Sequence, residues 1–149
     1  MRDNLSYIKA IELLHECSSA EGFLASKENT SNYKRVWARD GVICGLAALA
    51  SGNTELINTF ENTLNTLALN QHKNGTIPSN VLVNDNGSEV SYGGLAGRVD
   101  AITWFIIGIC QYAYYKTDDS ILIKYEADLK KLNINLDIDQ KVPKYIFVD

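Results

Sequence analysis

Two short segments of this chain set an arginine and an aspartate together at the start of an apolar run. Trp37-Ala38-Arg39-Asp40 leads into Gly41-Val42-Ile43-Cys44-Gly45-Leu46, and Gly97-Arg98-Val99-Asp100 leads into Ala101-Ile102-Thr103-Trp104-Phe105. The second is preceded by a glycine-rich stretch, Ser91-Tyr92-Gly93-Gly94-Leu95-Ala96, and glycines let a backbone approach a ligand closely. An indole such as that of Trp37 can stack on the apolar face of a sugar ring. Arg39 can donate to vicinal hydroxyls while Asp40 accepts from them. A carboxyl group at the mouth of a buried helix, as at Asp100, can deliver a proton. Plainer roles compete with these. Asp is among the best N-cap residues, Arg39 can form a structural ion pair with Asp40 or Asp100, and Trp37 can serve core packing.

The elements that must position these residues read as helices. Apolar positions Leu5, Ile8, Ile11, Leu13, Leu14 and Cys17 fall on one helical face, and residues 54–70 repeat the pattern with Leu56, Ile57, Phe60, Leu64 and Leu67. Residues 40–50 and 101–115 are apolar on every side, which predicts buried helices. Residues 121–132 are again mixed. This alternation predicts an all-α fold of about five helices in two layers, with helices 40–50 and 101–115 inside. Residues 21–39 and 71–99 are expected as long loops, both preceding an inner helix. If the inner helices run parallel, the two Arg-Asp segments meet at one end. A carboxylate at a helix N-terminus is stabilised in its charged form, so Asp100 as a proton donor needs burial or a neighbouring carboxylate such as Asp40. Residues 133–149 read as an irregular or strand-like tail.

Composition narrows the function. The chain has 149 residues, 46% hydrophobic and 21% charged, with a formal net charge of -4. That is ordinary for one globular domain. The absence of a basic cluster argues against a nucleic-acid or anionic-membrane partner. The longest apolar run is too short for a membrane span, and Met1-Arg2-Asp3-Asn4 is no signal core, which gives a cytoplasmic expectation. Cys17, Cys44 and Cys110 sit in helical patterns and read as buried thiols. His15 and His72 lack ligand-spaced neighbours, so no metal and no cofactor is implied.

Three segments carry a family resemblance: Val36-Trp37-Ala38-Arg39-Asp40, Asn74-Gly75-Thr76-Ile77-Pro78-Ser79-Asn80, and Arg98-Val99-Asp100-Ala101-Ile102-Thr103-Trp104-Phe105. In this order and spacing the sequence resembles glycoside hydrolases built as an (α/α)6 toroid of six helical hairpins. It is most similar to the amylo-α-1,6-glucosidase domain of glycogen-debranching enzymes, with glucoamylases and neutral invertases further off. The resemblance implies an inverting glycosidase acting on an α-glucan branch or terminal glucose. It casts Asp100 as the general acid and Trp37, Arg39 and Asp40 as binders of the non-reducing glucose, with Tyr92 and Arg98 near the acid.

The resemblance covers about residues 8–119, so residues 1–132 are expected to be the N-terminal part of such a domain, a partial toroid. Inversion requires a second carboxylate roughly 6.5–9.5 Å from the first, and the family's base lies downstream of everything matched. Glu126 falls on an outer helix, and Glu89, before the glycine-rich stretch, matches no family motif. The chain alone is therefore expected to lack hydrolytic activity, and its partners are expected to be an oligosaccharide and the missing half of the domain. The alternative function is a non-catalytic carbohydrate-binding helical module. A scaffold for a protein partner ranks below both.

Overall fold

The computed structural model describes residues 5–28, 33–93 and 99–132, with Val99 described by its backbone alone. Six helices and two small antiparallel sheets occur among them. The fold is therefore mostly helical rather than all-α. The tail 133–149, the glycine-rich residues 94–98 and Arg98 with them lie outside the described residues.

The helices are α1 (Leu5–Glu16), α2 (Ala38–Ser51), α3 (Thr54–Leu69), α4 (Val99–Lys116), α5 (Ser120–Lys124) and α6 (Glu126–Lys131). α2 ends on Gly52 at φ +68, a left-handed cap that suits glycine, and Asn53 then caps α3 by accepting from the N–H groups of Glu55 and Leu56. This turn makes α2 and α3 an antiparallel pair. Their backbones come close: a Cβ on Gly45 would stand 1.9 Å from the ring of Phe60. α4 also lies antiparallel to α3. Gly108 meets Leu64 and Val42, and one turn later the Tyr112 hydroxyl reaches Glu61 at 2.6 Å. α2 and α4 consequently run the same way, with their N-termini at one end.

The layering departs from the sequence expectation. α3, which reads as a surface helix, contributes Leu56, Ile57, Phe60, Leu64 and Leu67 to the core, together with buried Thr59, Thr63 and Thr66. Threonine presents a methyl as well as a hydroxyl, and each of these hydroxyls has a partner, that of Thr66 donating to the Glu21 carbonyl at 2.7 Å. Thr59 and Thr63 donate to carbonyls one turn back, and Thr63 also accepts from the Phe23 N–H at 2.9 Å. The buried face of α3 is thus wider than its apolar residues indicate. α2 exposes Ile43 and α4 exposes Tyr114 and Tyr115, so neither is enclosed on all sides. The segment read as one helix over 121–132 is broken at Tyr125, whose buried ring turns inward and whose hydroxyl donates to Asn65 Oδ1.

Both segments expected as loops contain strands. β1 (Ser18–Ser19) and β2 (Gly22–Phe23) form one ribbon, and β3 (Val36–Trp37), β4 (Asn80–Asn84) and β5 (Gly87–Ser91) form a sheet in that order. The β4–β5 hairpin closes through Asp85-Asn86, with Gly87 at φ +121. Alternation sorts its two faces. Val36 and Val81 oppose each other and are buried, whereas Trp37, Asn80, Leu82 and Glu89 fall on the other side.

Candidate functional site

The N-termini of α2 and α4 bring the two Arg-Asp segments together. Arg39 Nη1 donates to Asp100 Oδ2 at 3.3 Å, across 61 residues of sequence. Trp37, Ala38, Arg39, Asp40, Ser79, Asp100 and Ala101 line one small cavity. Asp40 and Asp100 thus line the same space. Both lie in the first turn of their helices. Asp100 is the second residue of α4.

The positioning of each side chain has a local cause. Trp37 occupies the extended residue before α2, at φ -96 and ψ 135, and pairs with Asn80 across the sheet. The next residue, Ala38, donates its N–H to the Ser79 carbonyl at 3.0 Å. Ser79 is itself pinned: its N–H and its hydroxyl both donate to the Ser91 carbonyl, at 2.8 and 2.9 Å. The start of α2 is therefore bolted to the β4–β5 hairpin. Tyr33 stacks against Trp37 with ring centroids 6.4 Å apart and planes 29° from parallel.

Tyr92 stands apart from this group. Its hydroxyl donates to the Asn70 carbonyl at 2.9 Å and its ring meets the edge of His72 at 5.3 Å, which holds it against the end of α3. The structure gives Tyr92 a tethering role instead of bringing it to the acid.

The space enclosed by the cluster is about 10 Å³, room for one water. A sugar ring enters only if the Arg39–Asp100 pair opens. That pair is half-exposed on both sides, and exposed pairs are worth about 0–1 kcal/mol, so a ligand that hydrogen-bonds both groups can displace it cheaply. One turn below Asp40, the Cys44 thiol is pushed up to about 11, first by burial and then by the charges of Cys17 and Asp40.

Ser79 and Tyr33 are members of this neighbourhood that sequence reasoning did not single out. Ser79 sat within the Asn74–Asn80 segment already noted, and strand pairing is what delivers it. The other carboxylates among the described residues are mostly engaged elsewhere. Glu61 pairs with Lys124, Glu89 with Arg35, Glu126 with Lys130 and Glu16 with Lys27. No group of His, Cys, Asp and Glu among the described residues could hold a metal ion, and no described helix is long and apolar enough to cross a membrane. No family model matches this chain, and no curated protein matches it.

Proposed function

We propose that this chain binds a terminal glucosyl unit of an α-glucan at the joined N-termini of α2 and α4, as part of an inverting glycosidase site of the amylo-α-1,6-glucosidase or glucoamylase kind. The observation that carries the reading is the convergence of Trp37, Arg39, Asp40 and Asp100 on one cavity from two distant segments. In this reading Trp37 offers a ring face, Arg39 donates to sugar hydroxyls and Asp40 accepts from them. Asp100 protonates the glycosidic oxygen. Hydrolysis also needs a carboxylate roughly 6.5–9.5 Å away to activate water. We place that base on a partner segment, so the chain by itself binds sugar without cleaving it. The site is reached in the cytoplasm.

The alternative reading is a carbohydrate-binding module with no catalytic role. The Arg39–Asp100 bond favours it, because a guanidinium partner suits a carboxylate that accepts hydrogen bonds rather than one that gives up a proton.

Calorimetric titration with glucose, maltose and isomaltose tests the shared element, with Trp37→Ala and Arg39→Ala as controls. Saccharide binding that these variants lose while staying folded supports the site. Glucose release from branched dextrin by the chain joined with a base-bearing partner, abolished by Asp100→Asn, supports the glycosidase. Unchanged release by Asp100→Asn sinks the mechanism and leaves the module. Absence of any saccharide binding overturns both.

A further inference from the structure

An open groove of about 380 Å³ draws its valines, Val36, Val81 and Val83, from the sheet face opposite Trp37. Val36 and Val81 oppose each other across the ladder and are buried, whereas Val83 lies beyond the end of β3 and is partly exposed. Leu24 adds a fourth apolar side chain, and its antiparallel bridge to Val36 joins the β1–β2 ribbon to the sheet. The groove therefore has an apolar floor. Its volume is at the lower end of the range of small-molecule sites, which suits one small ligand better than a polymer.

Three charged residues line this groove, Glu21, Lys34 and Arg35. Arg35 is already satisfied. Its Nη1 donates to Asn80 Oδ1 at 3.3 Å and its Nη2 to Glu89 Oε2 at 2.9 Å, so the guanidinium is turned to the Trp37 side of the sheet and its charge is answered there. Glu21 and Lys34 remain. Among the described residues neither makes an ion pair, with the other or with any third group. Glu21 also borders a second space, whose other polar groups, Asn62, Asn65, Thr66, Asn70 and Ser88, are uncharged, so no cation meets it on that side.

The backbone that carries both groups is fixed. The Glu21 N–H donates to Ser19 Oγ at 3.2 Å, and the Glu21 carbonyl accepts from Thr66 Oγ1 at 2.7 Å. Next to Lys34, the Arg35 carbonyl accepts from the Ala25 N–H at 3.1 Å. A carboxylate and an ammonium thus line one apolar-floored space without neutralising each other. A ligand that carries an ammonium, a carboxylate and an apolar body answers all three features. A plain carboxylic acid would leave Glu21 without a donor, and a plain amine would leave Lys34 without an acceptor.

We propose that this groove binds a free α-amino acid with an apolar side chain. Its ammonium donates to Glu21, its carboxylate accepts from Lys34, and its side chain covers Leu24, Val81 and Val83. This site does not depend on a sugar at Trp37.

Calorimetric titration of the full chain with L-leucine is the test. Isocaproate, which is leucine without the ammonium, and isoamylamine, which is leucine without the carboxylate, serve as comparisons. L-leucine should bind about tenfold tighter than either, the size expected for one hydrogen-bonded charge. Glu21→Gln should weaken L-leucine by about tenfold and leave isocaproate unchanged, and Lys34→Met should weaken L-leucine as much and leave isoamylamine unchanged. Thermal melting checks that both variants fold. Because a variant can disturb the ribbon, methyl NMR of the unaltered chain gives a second measurement. L-leucine should shift the methyl signals of Leu24, Val81 and Val83 and leave those of Ile43 in place. No binding of L-leucine, a one-charge analogue that binds as tightly, or valine methyls that never move would each overturn the site.

Discussion

Arg39 and Asp100 meet at 3.3 Å although 61 residues separate them, and each stands in the first turn of a helix that packs beside the other. The bond is half-exposed, so its removal costs the fold little. Arg39→Ala and Asp100→Asn should each change unfolding free energy by about 1 kcal/mol or less, read by urea denaturation. Arg39→Ala should nevertheless weaken glucose binding about tenfold or more. A loss of several kcal/mol of stability with binding unchanged would assign the pair a structural role and return the site to the plain ion-pair reading.

Gly45 is the contact point of α2 and α3. An added methyl would collide with the Phe60 ring at 1.9 Å. Phe60 is fully buried and held edge-on by Tyr112 at 5.8 Å, so it has nowhere to retreat. Gly→Ala in a helix gains about 0.5–1 kcal/mol from propensity, while overpacking costs about 1–3 kcal/mol. At this separation the collision wins, and Gly45→Ala should lower the melting temperature. Gly45→Ala with Phe60→Leu should recover part of the loss. If the single variant melts at or above the original temperature, α2 and α3 are further apart than described.

Glu61 and Tyr112 tie α3 to α4 and make stability depend on pH. The hydrogen bond from Tyr112 holds the Glu61 carboxyl below its ordinary range. Burial opposes this, and Lys124 at 3.0 Å assists it. A carboxyl held low contributes stability at pH above its unfolded value, about 4.3, and the contribution is lost as pH falls through that value towards the folded one. Tyr112 itself is pushed up, mainly by burial and then by Glu61, and Tyr125 is pushed up by burial. A phenol held high contributes stability below its unfolded value, about 10, and loses it as pH rises further. Melting temperature should therefore fall on both sides, below about pH 4 and above about pH 10. In Tyr112→Phe both slopes should be shallower, and stability at neutral pH should drop by about 1–3 kcal/mol. Parallel pH profiles for the two proteins would show that the bond does not form in solution.

The residues of the candidate site were largely legible in sequence. Trp37, Arg39, Asp40 and Asp100 stand out because an acid or a guanidinium at the start of an apolar run is costly without a purpose. The five helical segments read from the sequence cover all six helices, α5 and α6 falling within the one segment 121–132, since burial leaves its mark on apolar spacing and content. The hairpin was missed although its turn, Asn84-Asp85-Asn86-Gly87, was visible. Two strands of five residues alternate too few times to separate them from loop, and Ser88 and Ser91 on β5 weaken the apolar signal. Tyr92 was placed near the acid by the family resemblance. Chain direction after Ser91 instead places its hydroxyl on Asn70.

The sequence by itself determined which residues are helical, which faces are apolar and where charge sits at a helix start, because these follow from local conformational preference and the cost of burying charge. Tertiary structure alone decided which starts are neighbours. The Gly52–Asn53 turn sets α2 against α3, Gly45 and Gly108 let the helices approach closely, and the Ser79–Ser91 bonds fasten the hairpin to Trp37. These are contacts between residues far apart in the chain, governed by shape and by the pairing of backbone groups. No local pattern encodes them, so Arg39 and Asp100 become a site only once the chain is packed.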